Sequence, residues 1–119
     1  MACLRMFGPY DLTPANIERY VRQNATGVYA VGYTRESGAF VVRYIGRSDT
    51  DLRSALRAQD TDETARFKWV ESPSQMSAFD TQCELYHEFG GADTLENEGH
   101  PARPKGSKWV CPVCDIFNR

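Results

Sequence analysis

The sequence predicts an α+β domain: a three-stranded antiparallel sheet flanked by helices. Three observations carry this. Two runs rich in Val, Tyr and Phe flank the turn residues Glu36-Ser37-Gly38. Apolar residues recur at helical spacing after Thr13, after Ser48-Asp49-Thr50-Asp51 and after Ser72-Pro73-Ser74-Gln75, stretches of residue types that cap helices. Beyond Gly90-Gly91 the chain becomes rich in Gly and Pro and loses periodicity, as an irregular tail does.

In chain order, Leu12-Thr13-Pro14 marks a helix start, with Thr13 as N-cap and Pro14 at the first helical position. Ile17, Tyr20 and Val21 follow at helical spacing, and Asn24-Ala25-Thr26-Gly27 ends the helix. Residues 28–34 and 39–45 read as a hairpin. Ser48-Asp49-Thr50-Asp51 begins a second helix with Leu52, Ala55, Leu56 and Gln59 on its inward stripe. Residues 60–65 are polar and loop-like, and Phe67 and Trp69, alternating with Arg66 and Lys68, give the third strand. A third helix runs over 73–89, opened by a capping box between Ser72 and Gln75. The tail over 101–119 holds one short strand at Lys108–Cys111.

The chain of 119 residues suits one domain, and its hydrophobic fraction of 41% is enough for a core. No apolar run approaches the roughly 20 residues of a membrane helix, and no secretory signal is visible, so the expectation is a cytoplasmic protein with no membrane partner. The net charge of -2 argues against nonspecific coating of nucleic acid. The charge is uneven: residues 1–70 hold ten Lys/Arg against eight Asp/Glu, and residues 71–119 hold four against eight. Arg43, Arg47, Arg53, Arg57, Arg66 and Lys68 cluster in sequence around the hairpin, either as a local basic surface or as an ordinary solvated one.

Two groups of residues carry chemistry. On the third helix, Met76, Phe79, Cys83 and Tyr86 form an apolar sector, with Glu84 at its rim. A rim carboxylate either points into a cleft or is simply solvated. In the tail, Cys111-Pro112-Val113-Cys114 supplies half of a zinc site. Cys83 and His87, four apart on a helix, share a face and complete a Cys₃His set, with His100 as reserve ligand. A zinc ion there would pin the tail to the third helix. The competing readings are a buried apolar Cys83 and a free dithiol. Cys3, near the N-terminus, is read as inert, and Arg103, Lys105 and Lys108 as phosphate contacts or loop solubilisers.

Taken in order, Gly27-Val28-Tyr29, Tyr44-Ile45-Gly46, the helix after Gly46, the glutamate of CELYHEF and the asparagine of LENEGHP resemble the GIY-YIG nuclease superfamily over about residues 15–100. The resemblance implies hydrolysis of DNA phosphodiester bonds with one Mg²⁺ or Mn²⁺. By position, Tyr29 would deprotonate or orient the attacking water, Tyr44 would support the nucleophile or a phosphate oxygen, Glu84 would ligate the metal and Asn97 would order the cleft. A hard cation prefers oxygen donors, and a phenol needs nearby positive charge to serve as a base at neutral pH.

The place where the family carries an arginine falls on Ala55. Arg53 is the expected substitute, with Arg47, Arg57 and Lys68 as substrate-binding residues. Two readings follow. One is a divalent-metal-dependent endonuclease whose specificity comes from a protein partner or homo-oligomer. The other is a catalytically degenerate module that binds nucleic acid or protein and is stabilised by zinc.

Overall fold

The computed structural model describes residues 6–59, 64–97, 99–102, 104 and 106–114. Cys3, Arg103, Lys105 and the loop residues 60–63 lie outside the described residues. The sheet has four antiparallel strands rather than the three expected: β1 (Phe7–Asp11), β2 (Gly27–Thr34), β3 (Phe40–Ser48) and β4 (Arg66–Glu71), in the order β1-β4-β2-β3. β1 escapes a propensity reading because its sequence, FGPYD, holds three residues depleted from strands, Gly8, Pro9 and Asp11. It is an edge strand, where a missing N–H costs nothing, and its register shifts between Phe7 and Tyr10. Side chains hold it to the sheet. The rings of Phe7 and Trp69 lie 5.1 Å apart, those of Tyr10 and Phe67 5.7 Å apart, and Asp11 pairs with Arg66.

The helices are α1 (Pro14–Tyr20), α2 (Leu52–Arg57) and α3 (Gln75–Glu88), followed by a 3₁₀ turn at Gly91–Asp93. Thr13 caps α1, its Oγ1 accepting from Asn16 N at 3.2 Å. The cap of α3 is Ser74, which accepts from Ser77 N at 3.1 Å. The Ser72–Gln75 box does not form: Ser72 N donates to Thr26 O at 2.8 Å, and Gln75 Nε2 donates to Asp49 O. Residues 108–111 join no ladder among the described residues.

Strand alternation divides the core between the two faces of the sheet. Tyr29 and Val31 of β2, with Phe67 and Trp69 of β4, pack against Ile17 and Val21 of α1 and Leu52 and Leu56 of α2. Val28, Ala30 and Ile45 face the other way, onto Ala78, Leu85 and Tyr86 of α3. A second flank of α3, Phe79 and Cys83, is covered by Cys111 and Trp109 of the tail. Met76, expected in that sector, is 48% exposed. Among the described residues no helix is long and apolar enough to cross a membrane.

Candidate functional site

Four potential metal ligands converge where α3, the 99–102 segment and the tail meet. His87, His100, Cys111 and Cys114 place one donor atom each within 4.8 Å of all the others. His87 Nε2 lies 3.2 Å from His100 Nε2, Cys111 Sγ 3.5 Å from His87 Nε2, and Cys114 Sγ 3.4 Å from His100 Nε2. With zinc bond lengths near 2.0–2.1 Å to nitrogen and 2.3 Å to sulfur, a tetrahedron has N···N edges of about 3.3 Å and N···S edges of about 3.6 Å. The three close contacts come near those edges, and the remaining donor pairs lie within 4.8 Å, so the donor set could hold a structural metal such as zinc. His100 Nδ1 lies 2.9 Å from Pro101 O, the kind of outer contact that orients the ring with Nε2 toward a metal. Val113 N donates to Cys111 Sγ at 3.4 Å. Burial, then the proximity of His100, holds the His87 pKa below its ordinary value and favours the neutral, metal-binding ring.

The ligand set differs from the expected one in a single place. His100 stands where Cys83 was expected. Cys83 shares the helix face of His87 but sits deeper and is fully buried. Burial first, and then the adjoining Cys111 sulfur, push its thiol pKa well up, which marks a neutral S–H beside Cys111.

The tyrosines are brought together as the hairpin predicts. Tyr29 pairs with Gly46 across β2 and β3, and Tyr44 with Val31, which sets both rings on the α1–α2 face with centroids 6.1 Å apart. A Cβ at position 46 would lie 2.2 Å from Tyr29 Cζ, so the glycine of the second triplet makes room for the tyrosine of the first. Gln59 Nε2 donates to Tyr29 Oη at 3.0 Å. Tyr29 is 3% exposed, and burial, then Tyr44, hold its phenol pKa well above the ordinary value. The nearby positive charge that would turn it into a base is not supplied by the expected arginines. Arg53 donates to Val21 O (2.7 Å) and Glu18 O (2.8 Å), capping the end of α1. Arg57 pairs with Glu18. Lys68 Nζ lies 5.3 Å from the Phe40 ring centroid, on the α3 face.

A polar cleft of about 440 Å³ runs along the outer edge of β3, lined by Tyr44, Gln82, Glu96, Asn97, His100 and neighbouring backbone. Asn97 closes the strand edge with two bonds, accepting from Ile45 N at 3.0 Å and donating to Ile45 O at 2.7 Å. Arg47 spans the cleft's walls. Its Nη1 donates to Gln82 Oε1 and to Ala102 O, both at 2.8 Å, its Nε pairs with Asp49, and its guanidinium covers the Phe79 ring.

No protein-family model, no curated protein and no solved structure matches the chain.

The cleft's chemistry follows from its own residues. The α3 side chain that reaches it is Gln82, on the same helix side as Ala78 and Leu85. Glu84 is about 200° further round the helix and is not among the lining residues. It neighbours Asp80 instead, whose pKa is raised by burial first and then by Glu84. A Mg²⁺ or Mn²⁺ ion needs carboxylate oxygens where the phosphate sits. A neutral amide bonded to Arg47 does not supply one, and among the described lining residues the one carboxylate, Glu96, is paired with Arg43. Among the described residues, the cleft's lining does not supply the oxygen donors of a hard catalytic cation. Sequence reasoning passed over Gln82, although a long polar residue between the apolar Ala78 and Leu85 was its available signal.

Proposed function

We propose that this chain is a GIY-YIG-like module that engages DNA through the β3-edge cleft without turning it over, on a domain stabilised by zinc. The observation that carries the reading is the identity of Gln82. The helix position that looks across at Tyr44 and Asn97 holds a neutral amide locked to Arg47. Ala55, in place of an arginine on α2, points the same way, because the loss of one charge-stabilising donor alone costs about 3–4 kcal/mol of barrier lowering elsewhere. Tyr44 and Asn97 offer hydrogen bonds to a phosphate backbone, and a protein partner or second copy would supply specificity.

The second reading, a divalent-metal-dependent endonuclease, is favoured by one arrangement. Tyr29, Tyr44 and Gly46 interlock as a unit linking the two triplets. In that reading Tyr29, kept neutral, orients water rather than deprotonating it, and Glu84 is the candidate metal ligand.

Plasmid nicking with Mg²⁺ or Mn²⁺, paired with fluorescence anisotropy on labelled duplex DNA across a salt series, separates the two. The module reading expects salt-sensitive binding and no nicking. Nicking that disappears in Tyr29→Phe and Glu84→Ala establishes the endonuclease instead. Absence of both binding and nicking removes DNA as the partner.

A further inference from the structure

We infer that the His87–His100–Cys111–Cys114 centre is the clasp that holds the segment Glu96–Asn97 and Gly99–Ala102 against β3, so that metal loading decides whether the edge cleft has an outer wall. The inference rests on the metal centre and not on what the cleft binds.

The segment has no helix or strand among its described residues. Its composition is polar, and an irregular polar segment pays its ordering entropy with few apolar contacts of its own. It is fastened to β3 at one end by Asn97, and by Glu96 N, which donates to Arg43 O at 2.5 Å. At the other end, Ala102 O accepts from Arg47. Between these lies His100, which belongs to both structures at once. Its ring lines the cleft, while its Nε2 is one of the four convergent donors. The other three donors come from α3 and the tail. A shared ion would therefore join the cleft's wall to the helix that forms its opposite side.

The contacts that Cys111 Sγ makes with Val113 N and His100 Nδ1 with Pro101 O each stay within one chain segment, so they do not tie the segments to one another. Coordination by four donors from three chain segments would add, to those bonds with β3, a tie from the segment to α3 and the tail.

Amide hydrogen exchange on the full chain, loaded with zinc and then stripped by a chelator, tests this without reference to DNA. The amides of Ile45 and Glu96, which bond across the segment, should exchange at least about tenfold faster after stripping, while the β2–β4 ladder stays within about twofold. Two outcomes overturn the inference: unchanged protection at Ile45 and Glu96, or equal loss throughout the sheet, which would make the metal a support of the whole fold. His100→Cys, which keeps a ligand, should retain the protection, and His100→Phe, which fills space without ligating, should lose it. Equal behaviour of the two variants shows packing rather than coordination. Failure here leaves the DNA reading standing, and DNA assays that fail leave this inference standing.

Discussion

Gly46 lies directly beneath the ring of Tyr29. A methyl group built at that glycine meets Tyr29 Cζ at 2.2 Å and its hydroxyl oxygen at 2.4 Å. The two residues face each other in register across β2 and β3, and Tyr29 is enclosed by the α1–α2 core. The glycine is thus a packing requirement whether or not the cleft performs chemistry.

Gly46→Ala should cost about 1–3 kcal/mol in urea unfolding, the usual penalty for overfilling a packed site. Tyr29→Phe should not relieve it, because the ring carbon still clashes. Tyr29→Ala in the same chain should, and the double-mutant cycle should give a coupling of about 1 kcal/mol or more. Additive effects would show that the ring swings aside freely.

Arg53→Ala should act on stability and not on DNA affinity. Its guanidinium bonds two backbone carbonyls at the end of α1, and hydrogen bonds from charged groups contribute about 1.5–3 kcal/mol. Denaturant midpoints should fall by a corresponding amount, while anisotropy titrations of folded protein stay within about twofold of wild type. A large loss of DNA affinity at unchanged stability would return Arg53 to the site.

Most of the fold was legible because caps, turns and periodicity are local signals. Thr13-Pro14 opens α1 as read, and Glu36-Ser37-Gly38 sits between β2 and β3. β1 was not legible, since Gly8 and Pro9 are held in a strand by the tertiary contacts of Phe7 and Tyr10 with β4. The metal centre was half legible. The Cys111/Cys114 spacing is local, and His87 lies on a readable helix face, whereas the choice of His100 over Cys83 depends on where an irregular segment crosses α3. The cleft was least legible. Glu84 and Gln82 are two residues apart, and which of them reaches Tyr44 is decided by which flank of α3 lies on the sheet.

Glu84→Gln should stabilise the protein modestly at neutral pH. Asp80 and Glu84 stand one turn apart, and the raised Asp80 pKa reports burial together with that like charge. Like charges at this spacing cost about 0.2–0.5 kcal/mol. A carboxyl whose folded pKa is raised destabilises the fold at pH values where it must ionise. The gain from Glu84→Gln should therefore be present at pH 7, shrink as the pH falls through the Asp80 pKa, and vanish near pH 3, where a neutral Asp80 leaves no like-charge pair. Thermal melts across that range measure it. A stabilisation that persists at pH 3 would have another origin.

The ligand set itself is open to a direct count. Four convergent donors within 4.8 Å of one another predict one zinc per chain by elemental analysis. Cys111→Ser, Cys114→Ser, His87→Ala and His100→Ala should each lower the stoichiometry or weaken retention against a chelator, because each removes one of four bonds. Cys83→Ala should keep the metal. Its thiol is buried against Cys111 and Phe79, so its loss is a core truncation, which should lower the melting temperature without emptying the site. If Cys83→Ala releases zinc while His100→Ala retains it, the coordinating set is Cys83, His87, Cys111 and Cys114, and the 99–102 segment is held by its hydrogen bonds alone.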